Sequence, residues 1–177
     1  EVPTEGIRAE FIANTSSTDA AFWPYQLGNL DQDTRSYLQS FDPQVEGDPL
    51  NFRTSMNTQG YIDKGSTSFG LKTSWSMGEV AGLSSLTPVL VLSSSRFYLD
   101  QIDDLDVSPA DIAVLDTRQD HEQQSAELRF AGTAGSLFGW GDEVEFVAGA
   151  FHYASDFTLL ARAFAGAEVA SYAGTVD

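Results

Sequence analysis

The chain has no cysteine. Neither a disulfide framework nor a thiolate metal site can exist, and no thiol nucleophile is present. Basic residues are also scarce: 9 Lys and Arg stand against 26 Asp and Glu, for a formal charge of −17 over 177 residues. A protein that binds phosphate backbones needs clusters of lysine and arginine, so nucleic acid is excluded as a partner. Long apolar runs are missing too. Val89-Leu90-Val91-Leu92 and Ile112-Ala113-Val114-Leu115 are among the longest, far below the roughly 20 residues of a membrane helix. The opening Glu1-Val2-Pro3-Thr4-Glu5 has neither the basic region nor the apolar core of a signal peptide. That start is expected of a mature chain or an internal piece. Strands escape these exclusions, because a barrel strand crosses a bilayer in about 9–11 residues with a weak hydropathy signal.

What is present is alternation. In Ser125 to Phe130, Ala126, Leu128 and Phe130 share one parity, and Ser125, Glu127 and Arg129 the other. Successive side chains of a strand point to opposite faces, so this is a strand with an apolar and a charged face. Gly60 to Met77 behaves alike, with Phe69, Leu71, Thr73 and Trp75 opposite Ser68, Gly70, Lys72 and Ser74. Strands are expected at Ile7–Asn14, Leu83–Asp100, Gln119–Ala131 and Glu143–Phe157. On the second of these, Leu90 and Leu92 share a face with Arg96 and Tyr98. Pro88 donates no ladder hydrogen bond, so a local bulge or irregularity is expected there. A short helix is expected at Thr34–Phe41, a short strand at Leu50–Met56, and at Leu159–Ala170 helical propensity set against loop or weak order, for which Gly166 and Gly174 argue. The connections run long (15–59), short (77–82), long (101–118), short (132–142), then long from 158. Outer-membrane barrels alternate long outer loops with short periplasmic turns. The expected fold class is all-β: an antiparallel up-and-down meander, part of a transmembrane β-barrel.

The run Gln119 to Ala131, with its Ser125-Ala126-Glu127-Leu128-Arg129-Phe130-Ala131, resembles a strand of TonB-dependent outer-membrane receptors. The following Val147-Ala148-Gly149-Ala150-Phe151-His152-Tyr153 is similar to their next strand, and Ser108-Pro109-Ala110-Asp111-Ile112 to the preceding loop. The likeness is most specific over 100–157 and reaches back loosely to Gly60. The chain shows no plug domain, no TonB box and no terminal strand ending in an aromatic. The resemblance implies that residues 1–177 are a partial barrel segment of such a receptor in the cell outer membrane. It implies active uptake of a nutrient such as an iron–siderophore complex, powered by the TonB system through a plug domain absent here. Outer-membrane lipid is then a partner, and no enzyme activity, catalytic residue or cofactor is expected. The contrasting expectation is a soluble, secreted, acidic β-sheet binding module without catalytic activity.

Several constellations remain. Asp100, Asp103, Asp104, Asp106 and Asp111 supply hard oxygen ligands of the kind calcium takes. They lack the EF-hand spacing, and a solvated acidic loop is the expected reading. No metal ligand is assigned. His121 and His152 could share a metal only if their strands met. No Gly-x-Ser-x-Gly elbow or phosphate loop occurs. Glu127 and Arg129 read as a structural ion pair rather than a substrate contact. Trp75 and Trp140 fall near the two short turns, where an interfacial aromatic girdle would sit; ordinary core packing is the equal alternative. Trp23, beside Pro24 and Tyr25, lies in the first long loop.

Overall fold

A computed structural model describes residues 6–21, 25–137 and 140–173. Five strands run in antiparallel order β1-β2-β3-β4-β5: β1 Gly6–Ala21, β2 Tyr61–Ser76, β3 Leu83–Asp104, β4 Ala113–Leu137 and β5 Trp140–Ala165. Two short helices accompany them, α1 Gln32–Gln39 and α2 Val169–Ala173. The all-β antiparallel meander is therefore observed. The sheet is open, with β1 and β5 at its edges.

The register is constant along each strand pair. Ser16 meets Ser66 and Ile12 meets Gly70 across β1 and β2. Met77 bridges Leu86, and Tyr98 covers Gly65, across β2 and β3. On β3 and β4, Ser85 faces Thr133, Ser93 faces Ser125 and Arg96 faces Glu122. The offset is the same before and after Pro88. No residue is inserted there, and the expected bulge is absent: β3 runs unbroken from Leu83 to Asp104.

The strands are longer than their apolar stretches suggested. β1 reaches Ala21, β3 reaches Asp104 and β4 starts at Ala113, so the loop expected at 101–118 shrinks to 105–112. β4 and β5 likewise extend through most of the expected turn 132–142, to Leu137 and from Trp140. Cross-strand pairing explains the extension: Asp100 faces Arg118, and Leu105 N–H donates to Ala113 O at 3.0 Å. The strand expected at Leu50–Met56 is absent, and turns and irregular backbone occupy that segment. The helical expectation for 159–170 is also overturned. β5 continues to Ala165, and only Val169–Ala173 is helical. The turn at 77–82 forms through Val80 and Leu83, which exchange hydrogen bonds of 3.1 and 2.9 Å. Both residues between them, Ala81 and Gly82, have positive φ, as a type I′ hairpin turn demands.

The chain divides into two compact units. The first holds residues 1–16, 66–97 and 121–157, and its described residues form strands and the turn at 77–82. Among its described residues only Val89 and Ala134 are buried. The second holds 17–65, 98–120 and 158–177. Its core is Leu38, Val45 and Ala110, flanked by Leu27, Leu30, Tyr37 and Ile112. Helix α1 supplies Leu38 and starts at Asp31, whose carboxylate accepts from Asp33 N–H (3.0 Å), Thr34 N–H (2.9 Å) and the Thr34 hydroxyl (2.7 Å). That is N-capping, with orphan first-turn donors satisfied by a side chain.

Candidate functional site

Side-chain parity and the observed register together assemble the first unit's two faces. Phe11 stacks on Phe69 at 6.5 Å, so odd positions of β1 and β2 share a face. Odd positions of β2 join even positions of β3, and even positions of β3, β4 and β5 stay together. Rows then run across all five strands. Ile7, Trp75, Pro88, Phe130 and Ala148 form one row; Ala9, Thr73, Leu90, Leu128 and Ala150 form the next. Phe11, Leu71, Leu92, Ala126 and His152 follow, then Ala13, Phe69, Ser94, Gln124 and Ala154. This is an apolar band roughly 20 Å tall at about 3.3 Å per residue. Phe69, Leu71 and Trp75 thus lie on the same side as Ala126, Leu128 and Phe130. The band is open to solvent: Phe11 is 68 % exposed, Phe69 52 % and Leu128 42 %.

The opposite face is hydroxyl- and charge-rich. Ser16 pairs with Ser66 at 2.8 Å, Ser93 with Ser125 at 2.7 Å and Ser85 with Thr133 at 2.8 Å. Arg8 pairs with Glu10 at 2.5 Å, and Arg129 with Glu127 at 3.6 Å on this face. Glu127 and Arg129 pair along β4, opposite Leu128 and half exposed, rather than in a cross-strand ladder of buried charges. His121 also lies here, with Nε2 at 3.0 Å from Ser155 Oγ and its ring edge-on to Phe157 at 5.9 Å. His152 occupies the apolar side, so the two histidines never share a ligand. Trp75 sits in the row beside the short turn, half exposed. The Trp140 side chain and Trp23 lie outside the described residues.

In the second unit the acidic loop is a knot of carboxylates that hold backbone. Asp104 is 2 % exposed. Its oxygens accept from Thr58 N–H at 3.3 Å and Val107 N–H at 2.9 Å. Burial pushes its carboxyl above the ordinary carboxylate range, and the charge of Asp106 pushes the same way. Asp106 accepts from Ala113 N–H at 2.9 Å and from the Ser108 hydroxyl. Asp111 accepts from Ala167 N–H at 3.1 Å, and Asp103 takes the Gln101 amide at 2.7 and 2.8 Å. Asp100 accepts from the Tyr61 hydroxyl at 3.1 Å and faces Arg118 at 3.7 Å. Among the described residues no three acids or histidines gather as a metal site. The loop expected to be simply solvated instead spends its carboxylates on turn and strand-end donors.

Two features escaped the sequence reading. Asp116, 8 % exposed, meets Arg162 at 2.5 Å and Arg118 at 3.6 Å. No spacing signals this pair, because it exists only through the β4–β5 register. The segment 48–53 holds Leu50 and Phe52 outward, 76 % and 86 % exposed, with Phe52 at φ 55°. Asp48 accepts from Leu50 N–H at 2.9 Å and Asn51 from Arg53 N–H at 2.9 Å. A cleft of ≈ 360 Å³ adjoins it, lined by Asp42, Gln44, Glu46, Arg53 and neighbours.

Comparison with family models, with curated proteins and with solved structures finds no match to this chain.

Proposed function

We propose that this chain is a wall segment of an outer-membrane β-barrel, of the kind found in TonB-dependent receptors, and that it serves uptake of a nutrient such as an iron–siderophore complex. The observation that carries the reading is the uncovered apolar band. A sheet must bury its apolar face against another layer. The first unit's described residues supply none, yet the apolar residues align in rows across five strands. Lipid is the medium that such a face suits, and the height approaches the ≈ 25 Å apolar band of transmembrane barrels. The opposite face, rich in serine and ion pairs, suits a watery lumen. The antiparallel order agrees, while the connection expected to be long between β3 and β4 is only 105–112. The receptor family rests on the sequence likeness of 100–157. In it the wall performs no covalent chemistry, and gating and energy coupling come through a plug and the TonB system.

The absence of cysteine makes the test direct. Single cysteines replace Phe69 and Leu128 on the band and Ser68 and Glu127 opposite. Each is spin-labelled with the chain reconstituted in liposomes. Labels at 69 and 128 are expected to collide preferentially with oxygen dissolved in lipid, and those at 68 and 127 with a water-soluble nickel chelate. A chain that sediments as a soluble monomer without detergent and unfolds in one sharp step would instead establish the secreted binding module.

A further inference from the structure

We propose that the cleft beside residues 48–53 binds a small neutral sugar, with Phe52 as the surface on which a sugar ring lies. The cleft belongs wholly to the second unit and shares no residue with the apolar band, so the site stands whether or not that band faces lipid. Its ≈ 360 Å³ is at the low end of small-molecule sites. Asp42, Gln44, Glu46, Asn51 and Arg53 are among its lining residues. An anion there meets two carboxylates against one guanidinium, in a chain of charge −17. A metal ion finds no group of three ligands among the described residues. An organic cation meets Arg53, and Asp42 is already engaged by the Ser55 hydroxyl at 2.6 Å and Gln44 N–H at 2.9 Å. The lining instead mixes donors and acceptors. Gln44 Oε1 accepts from Arg53 Nη1 at 3.4 Å and Asn51 Oδ1 from Arg53 N–H at 2.9 Å, so both amides keep NH2 donors to offer beside the acceptor oxygens of Glu46. A hydroxyl both donates and accepts. Neighbouring hydroxyls on one ring match this mixture without bringing charge.

Phe52 adds an independent sign. It lies between two lining residues, Asn51 and Arg53, at φ 55° and 86 % exposed. Positive φ in a bulky residue is a genuine outlier, and such a cost persists where the surroundings over-determine it, often at binding sites. Burial returns little of it here. The surroundings do hold the turn. In the amide orientation that satisfies both its ends, Gln26 accepts from Phe52 N–H at 2.9 Å and Arg53 N–H at 2.8 Å, and donates to Pro49 O at 2.6 Å. Asp48 accepts from Leu50 N–H at 2.9 Å. An aromatic ring kept bare beside a polar cleft supplies the flat apolar surface that the C–H side of a sugar ring needs. Hydroxyls on the cleft and C–H groups on the ring then satisfy both characters of one ligand.

The test uses the full chain in detergent and saturation-transfer NMR. The probes are the methyl glycosides of glucose, galactose, mannose and N-acetylglucosamine, with maltose and cellobiose. At least one should receive saturation, most strongly at its ring C–H protons, and the 6-phosphate of the same sugar should bind more weakly. Phe52→Gly removes the ring and relieves the positive φ. Sugar affinity should then fall about tenfold or more, while the thermal midpoint holds or rises. Phe52→Trp should keep the affinity, and Glu46→Ala should lower it. Leu50→Ala, at the turn's other exposed apolar side chain, should leave it unchanged. A panel in which no sugar receives saturation overturns the proposal. So does wild-type affinity in Phe52→Gly, or a 6-phosphate that binds as tightly as the neutral sugar. None of these results alters the spin-label outcome on the band, so the two readings fail separately.

Discussion

Replacing Gly166 by alanine tests how the second unit is closed. Gly166 follows β5 directly, and a methyl group there would run into the carbonyl oxygen and carboxylate of Asp111. Four hydrogen bonds converge on this point. Gly166 N–H donates to Ile112 O at 2.7 Å and Glu168 N–H to Asp111 O at 2.9 Å. Ala167 N–H donates to Asp111 Oδ2 at 3.1 Å, and Asp111 N–H to Glu168 Oε2 at 3.1 Å. One obstacle is backbone, which cannot swing aside as a side-chain end can. Accommodating the methyl means parting the two segments. At about 1 kcal/mol net per hydrogen bond, losing most of them costs roughly 2–4 kcal/mol. The stiffer unfolded chain returns about 0.4–1 kcal/mol, leaving a net loss of about 1–3.6 kcal/mol, centred on roughly 2 kcal/mol. The control is Gly28→Ala, where an added methyl meets nothing within 4 Å and stability should hold or rise slightly. Native-state hydrogen exchange reads the effect locally. Protection of the 166–168 amides should fall about 30-fold or more in Gly166→Ala, at roughly 1.4 kcal/mol per tenfold, and stay unchanged in Gly28→Ala. Equal protection in both variants would refute the clamp.

Other outcomes follow from the same geometry. Arg162→Met removes the hydrogen-bonded partner of the Asp116 carboxylate, whose side chain is 11 % exposed, and leaves it only Arg118 at 3.6 Å; the loss should be about 1–3 kcal/mol by urea unfolding. Adding Asp116→Asn should recover part of that loss, because the two sites are coupled. Ala81→Asn should raise the free energy of unfolding by about 0.5–1 kcal/mol, since Ala81 holds φ 52°, which asparagine tolerates better; an unchanged or lower stability would contradict this. Asp104 binds its proton more readily folded than unfolded, so its ionisation opposes folding. Wild type should therefore lose stability relative to Asp104→Asn as pH rises from the unfolded value near 3.8 through the raised folded value. Asp31 and Asp42 are held below the usual range, led by hydroxyl hydrogen bonds from Thr34 and Ser55. Their support is present above the unfolded carboxylate pKa and is lost as pH falls through their lowered values, which thermal midpoints of Asp31→Asn across acid pH would register as a flattened decline.

Much of the architecture was legible because strand periodicity is local. Ala126, Leu128 and Phe130 declare one face and Ser125, Glu127 and Arg129 the other without reference to any neighbour. Five strands and their order could be read that way, as could the short turn at Gly82. Strand ends could not. The polar stretches 101–104 and 113–118 look like loop, yet Asp100 with Arg118 and Leu105 with Ala113 hold them extended. The tail from Leu159 has alanine-rich helical propensity, which pairing with β4 overrides through Arg162 and Asp116. Leu50–Met56 alternates weakly but found no partner strand.

The sequence by itself determined the all-β class, the face to which each side chain on a strand belongs, the excluded thiol chemistry and the strongly acidic charge. These depend on residue identity and a two-residue period. Only the tertiary structure decided that the apolar faces of five strands align in common rows, that the two histidines lie on opposite sides, and that the loop aspartates cap backbone donors. Register, burial and pairing join residues far apart in sequence, and no local pattern contains that information.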